Sequence, residues 1–264
     1  MKILIPSLGR ADSQLTLTQM KAAGIQTTLV VRPQEEHLYA KWCDELTDMA
    51  VLPDAVHDLA ATRQWCTENF YPEDIFWMDD DMLFYVRPGT PIDDRLYYCE
   101  SDDMATMMRI IERSFEHYAH VGISLRQGNN RKMMHFHEAG NMGGCIGVKT
   151  KIVMDHGLRY DRNIVMEDKH MILSLLELGY PNIVWYYYCC GQKGSNTAGG
   201  CSTYRTADMQ RESAELLAAD HPGFVKVTQK KTKGGWFGGD GTRWDVVCSW
   251  QKAFASYTGE PRYV

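Results

Sequence analysis

The sequence predicts an α/β protein with a mixed, mainly parallel sheet flanked by helices. Short β-branched runs alternate with helical stretches through the first ninety residues, the pattern of parallel strands joined by crossover helices. The chain has 264 residues, 44 % apolar and 23 % charged, which suffices for a sizeable core and excludes disorder or a collagen-like repeat as a description of the whole. No run approaches the ~20 apolar residues of a spanning helix, so no membrane partner is expected.

The elements follow in order. Lys2 to Pro6 is an apolar strand closed by Ser7-Leu8-Gly9-Arg10, and Ala11 to Gly24 reads as a helix ending on glycine. Gln26 to Val31 is rich in β-branched residues and stops at Arg32-Pro33. Glu35 to Thr47 reads as helix, Met49 to Leu52 as strand, and His57 to Phe70 as helix. Asp74 to Met78 is a hydrophobic strand that delivers Asp79, Asp80 and Asp81 at its carboxyl end. Further on, Asp102 to Tyr118 is a helix, His120 to Leu125 a strand, Arg126 to Met134 a basic loop and Gly143 to Val148 a strand. Met166 to Leu178 is a helix opening on Glu167 and Asp168, and Ile183 to Cys190 is an aromatic strand. A glycine-rich loop over Gly191 to Thr203 leads to a helix over Thr206 to Ala219. One domain over 1–222 is expected, with a basic and aromatic extension over 223–264 packed on it.

Eight cysteines stand at positions 43, 66, 99, 145, 189, 190, 201 and 248 without a Cys-x-x-Cys pair. The N-terminus runs into a strand without a signal-peptide pattern. Reduced thiols in a cytoplasm are the expectation, with Cys189 and Cys190 ending a buried strand. His135 and His137 alternate on one strand face, but no further ligand at zinc spacing supports a metal pair.

The aspartate triplet carries the chemistry. Three adjacent carboxylates repel one another unless a cation or solvent compensates. Such oxygen ligands suit Mn²⁺ or Mg²⁺, which take one or two carboxylates together with substrate phosphates. In an open parallel sheet the ligand crevice lies outside the carboxyl ends of the strands. Pro6, Ser7 and Arg10 end the first strand at that same edge. Asp168 admits two readings, a charge complementing a helix N-terminus or a general base on an acceptor hydroxyl.

A Gly-Arg loop after the first strand, a hydrophobic strand ending in Asp-Asp-Asp, then Gly143-Gly144 and Glu167-Asp168 form an order that resembles nucleotide-sugar glycosyltransferases of the GT-A type. The resemblance spans roughly residues 1 to 185. It implies a GT-A-like, Rossmann-like fold, with Pro6, Ser7, Arg10, Asp79 and Asp80 at the donor nucleotide. It further implies Asp81 and Asp79 at the metal, and Asp168 with Glu167 at the catalytic position. Ile5 to Arg10, Phe76 to Asp81 and Met166 to His170 are most similar to the phage glycosyltransferases associated with TET/JBP oxygenases. Those act on hydroxymethylated pyrimidines in DNA. The GT-A pattern often adds a late histidine ligand, and His221 is the one histidine after His170.

Charge is polarised along the chain. The net charge is −6, yet residues 1–222 hold 21 basic and 31 acidic residues whereas 223–264 hold 7 basic and 3 acidic. Lys230, Lys231, Lys233 and Trp236 interleave cations and an aromatic with glycine, a composition suited to phosphate contact and base stacking. Arg126, Arg131 and Lys132 form a second basic segment.

The expected function is therefore metal-dependent transfer of a sugar from a nucleotide diphosphate, UDP being the first choice, to a hydroxyl. The best acceptor is 5-hydroxymethylcytosine in phage DNA. A carbohydrate- or protein-directed glycosyltransferase, or an inactive nucleotide-sugar-binding module, would share the donor-site residues; a nucleotidyltransferase would lack the lysine-containing glycine loop it needs after the first strand.

Overall fold

The computed structural model describes residues 1–87, 95–129, 134–192, 199–231 and 241–264. The chain opens with β1 (Lys2–Pro6), α1 (Leu15–Ala22), β2 (Thr27–Val31), α2 (Glu36–Tyr39), β3 (Thr47–Val51), α3 (Leu59–Asn69) and β4 (Asp74–Met78). It continues through β5 (Met82–Val86), β6 (Tyr97–Tyr98), α4 (Ser101–Ser114), β7 (His120–Leu125), α5 (Arg126–Asn129), β8 (Phe136–Glu138), β9 (Cys145–Lys149) and α6 (Thr150–Asp155). Then follow α7 (Glu167–Glu177), β10 (Asn182–Gln192), α8 (Ala207–Asp220), β11 (Val225–Lys231), β12 (Thr242–Cys248) and α9 (Trp250–Ala255).

Among the described residues one large sheet runs β3-β2-β1-β4-β9-β7-β10-β5-β6, with β8 also paired to β10. β3, β2, β1 and β4 are parallel, as are β7 and β10, while β9 and β5 run antiparallel to their neighbours and the edge strand β6 pairs antiparallel with β5. The sheet is thus mixed and mainly parallel; the alternation predicts its parallel strands, and the mixed form is the one the GT-A resemblance implies. β1 lies between β2 and β4, so the chain reverses direction of travel across the sheet at β1 and opens a crevice at its carboxyl end.

Period-two alternation divides the core. Leu4 pairs with Trp77 and both face one side, whereas Ile3 and Ile5 with Phe76 and Met78 face the other. All five strand residues of β2 are buried, as a central parallel strand covered on both faces requires. Trp77 is fully buried with its ring 5.1 Å from Tyr160, and burial of such side chains contributes about 1.5–3 kcal/mol each.

Several elements differ from the sequence pattern for physical reasons. The helix expected over Glu35 to Thr47 is broken into short turns, because Tyr39 is drawn inward to bond Ser7 Oγ at 2.8 Å. α1 starts at Leu15 rather than Ala11, since the preceding residues fold into a turn in which Ser13 N–H donates to the Arg10 carbonyl. Met82 to Val86 forms a strand whose alternate residues Met82, Phe84 and Val86 are buried against β10. The basic segment at Arg126 begins with one helical turn, α5. β11 and β12 pair antiparallel, pack on α8 and place Val246 in the core.

Candidate active site

The carboxyl ends of β1 and β4 meet the N-terminus of α7 around a cavity of about 420 Å³. Its wall includes Pro6, Ser7, Arg10, Asp79, Asp80, Asp81, Glu167 and Asp168, so every residue expected at the donor, metal and catalytic positions lines one space.

The aspartate turn is held from beneath by α1. Thr16 N–H donates to the Asp80 carbonyl at 3.1 Å, and Thr16 Oγ1 donates to the Asp79 carbonyl at 2.5 Å. Asp80 is buried, and its carboxylate accepts from Ser7 Oγ and from Arg10, each at 2.5 Å. Arg10 also pairs with Asp81 at 3.0 Å, and Gln192 at the end of β10 donates to the other Asp81 oxygen at 3.0 Å. One guanidinium therefore bridges two of the three adjacent carboxylates, which relieves part of the repulsion within the triplet.

Arg63 on α3 does the same for the third. It is 3 % exposed, lies 3.1 Å from Glu167 and 3.9 Å from Asp79, and its guanidinium sits over the Trp77 ring. Burial opposes its charge, but Glu167, Asp79 and Asp168 outweigh that and hold it above its usual range. Burial pushes the Asp79 carboxyl up to about 7, with Arg63 drawing it down and the neighbouring Asp81, Asp80 and Glu167 adding to the rise. Glu167 is raised by burial and by Asp168, against the pull of Arg63. The ion pair joins the strand that carries the triplet to the helix that carries Glu167 and Asp168.

Local backbone fixes both carboxylate groups. Gly144 has φ +72°, and a Cβ there would lie 2.2 Å from Met82 Cε and 3.4 Å from Asp79 Oδ2, so only glycine allows β9 to approach the triplet. Met166 takes φ +69° immediately before α7, a conformation that costs a side-chain-bearing residue free energy and is over-determined here by burial. It aims the first turn of α7 into the cavity. Gly199, at φ +94°, lies where a Cβ would come within 2.7 Å of Arg10 Cγ, which lets the following segment close on that guanidinium.

Residues 1–200 match the TET-Associated Glycosyltransferase family. The chain belongs to that family. The enzyme is a glycosyltransferase. It is 21 % identical over 234 residues to the Beta-glucosyl-HMC-alpha-glucosyl-transferases of Enterobacteria phages T6 and T2, covering 84 % of this chain and 81 % of each of theirs. Its fold is similar to that of S. aureus TarS 1-349 in complex with UDP-GlcNAc, with a TM-score of 0.55, 13 % identity, 83 % of this chain and 66 % of that chain. The mixed sheet flanked by helices is thus a GT-A fold, as the motif order implies.

Metal fit can be judged from the donor set of the glycosyltransferase. Among the described residues no three His, Cys, Asp or Glu side chains gather into a ready-made cage. Asp79 and Asp81 both line the cavity, and two carboxylates completed by diphosphate oxygens and water are what Mn²⁺ or Mg²⁺ takes at a nucleotide. The residues fit such a site. His221 does not belong to it. Its ring bonds Glu177 Oε1 at 2.5 Å and His170 Nδ1 at 2.9 Å in a buried chain on α7 and α8. There it holds His170, whose pKa burial and His221 push down to about 4.

The expected acceptor residues divide. Arg126 is exposed at the sheet edge outside the cavity, its guanidinium over the Tyr85 ring. Lys230 and Lys231 are exposed on β11, with Lys230 paired to Asp245 at 2.8 Å. Arg131, Lys132, Lys233 and Trp236 lie outside the described residues. His135 stacks on Tyr187 and His137 bonds Gln251, so the two form no metal pair with each other's neighbours. Cys189 and Cys190 are buried in β10.

Motif reading misses Arg63, Arg205 and Arg243, all on the cavity wall. Arg63 leaves one trace. The buried positions Arg63, Gln64 and Thr67 of α3 form a polar stripe where a core-facing helix should be apolar. Arg243 reaches the cavity by the β11–β12 pairing, which no local pattern announces.

Proposed function

We propose that the enzyme transfers a glucosyl group from UDP-glucose to the hydroxyl of a 5-hydroxymethylcytosine unit in phage DNA, with a divalent cation at Asp79 and Asp81. The observation that carries this reading is the convergence of the aspartate triplet and Glu167-Asp168 on one cavity, bridged by Arg63. Pro6 and Ser7 would line the nucleotide. Asp80 is already bonded by Ser7 and Arg10, which presents it as a fixed acceptor for a ribose hydroxyl. A bound cation would offset charge on the departing diphosphate. Arg10 and Arg63 hold the carboxylates of that site in register, and Arg205 and Arg243 add positive charge to the wall.

Asp168 is the base. Its Oδ1 accepts from the Lys169 N–H at 2.8 Å, while its Oδ2 lies near Gly143, where an added Cβ would come within 3.4 Å. A carboxylate fixed by its own helix turn and open to the cavity can take the acceptor proton as the hydroxyl attacks the anomeric carbon. Glu167, paired to Arg63, orients that turn.

The test offers purified enzyme UDP-sugars, Mn²⁺ or Mg²⁺, and DNA carrying cytosine, hydroxymethylcytosine or its β-glucosylated form, with mass spectrometry as readout. One hexose gained on modified DNA alone is expected. Transfer to oligosaccharide or protein with unmodified mass on every DNA would overturn the acceptor. No turnover of any nucleotide sugar would make the chain a binding module.

A further inference from the structure

Beyond the cavity, the sheet continues into β10, β5 and β6, where polar core logic gives way to exposed rings. We propose that Tyr98, Tyr85 and Arg126 form a shelf on which nucleobases flanking the modified nucleotide stack when the acceptor strand enters. This deepens, and rests on, the DNA reading above.

The shelf is continuous with the catalytic carboxylates. Gln192 bonds Asp81 and pairs in register with Met82; one step along, Gly191 pairs with Leu83, and then Cys189 with Tyr85. Tyr85 pairs in turn with Tyr98 on the edge strand. Leu83 and Tyr85 share a face by strand alternation. Tyr85 lies four positions beyond Asp81, about 13 Å at the rise of a β-strand, so a chain with its reacting unit at the triplet lays its neighbours over the exposed Tyr98 ring that Tyr85 supports.

The rings are arranged in advance. Tyr85 is 4 % exposed beneath its neighbours, with the Tyr98 ring 4.8 Å away at a tilt of 31° and the Arg126 guanidinium 4.6 Å from its centroid. Tyr98 is 64 % exposed. Gly191 is what admits Arg126, because a Cβ there would meet the Arg126 Cβ at 3.1 Å. A second cation, Arg95, lies over the neighbouring Tyr97, itself 41 % exposed.

An isolated exposed tyrosine is ordinary. An exposed ring seated on a buried ring, with guanidinium groups on the same edge, combines base stacking with phosphate attraction. A neutral carbohydrate would stack on the rings but has no charge for the arginines to meet. Nucleic acid satisfies both, and the whole shelf lies within residues 1–222, whose net charge is negative, so its cations are a local feature.

The test compares Tyr98→Ala and Tyr98→Phe with the parent on modified DNA and on the same DNA with abasic flanks. Tyr98→Ala is expected to raise the KM for modified DNA about tenfold, as loss of one stacked base implies, with kcat and the UDP-sugar KM held. Tyr98→Phe should keep the parent KM. Abasic flanks should raise the parent KM by a similar factor and add nothing to Tyr98→Ala, the signature of two changes removing one contact. An unchanged KM in Tyr98→Ala, or additive losses, would overturn the shelf while leaving DNA transfer intact. A parent that modifies oligosaccharide and no DNA, with Tyr98→Ala weakening the oligosaccharide, would overturn both readings.

Discussion

The cavity and the sheet edge beyond it are built on opposite terms. On the β1–β4 side, charges are buried and already paired: Asp80 with Ser7 and Arg10, Glu167 and Asp79 with Arg63. On the β5–β6–β10 side, cations lie on aromatic rings at an exposed edge. A buried pair is expensive to break, because the surviving charge has no solvent to turn to. An exposed ring or lysine is worth little to the fold. The first region therefore holds its side chains in fixed register, and the second can be altered at little cost to stability.

That contrast predicts where changes fall. Asp168→Asn should lower kcat by about 10²- to 10⁴-fold, the range for loss of a general base, with UDP-sugar affinity by calorimetry unchanged. An equal fall in donor affinity would move Asp168 to the nucleotide side. Arg63→Met strands Glu167 and should cost about 3–5 kcal/mol in denaturant unfolding. Adding Glu167→Gln should restore most of that stability and none of the transfer. If Arg63→Met unfolds like the parent, the buried ion pair does not hold α3 to α7. The smallest effect belongs to β11. Lys231→Glu should weaken DNA binding and flatten its salt dependence, with thermal stability within about 0.5 kcal/mol of the parent. Unchanged binding and salt slope would remove β11 from the interface.

Much of the site is legible in the sequence because strand ends are. A hydrophobic run that stops at charged residues states where a strand leaves the core, and Pro6 and Asp79 follow from that rule alone. Helix starts are similarly readable, which is why Glu167 and Asp168 stand at the first turn of α7. The reading fails where partners are distant in the chain. Arg63 meets Glu167 across about a hundred residues, and its helix looks unremarkable without that partner. Tyr85 and Tyr98 are two aromatics in an unpatterned stretch until β10 pairs with β5. His221 shows the reverse case, a residue that invites a metal role by its position in the chain and is absorbed by Glu177 and His170 in space.

By itself the sequence determined the α/β class, the carboxyl edge at which chemistry collects and the candidate carboxylates, since each rests on local periodicity and charge. The tertiary structure decided which cations compensate those carboxylates, that Asp79 and Asp81 line the cavity while His221 is taken up by Glu177 and His170, and where the aromatic rings of β5 and β6 meet. Electrostatic compensation and stacking depend on distances between remote segments, and only the packed sheet brings those segments together.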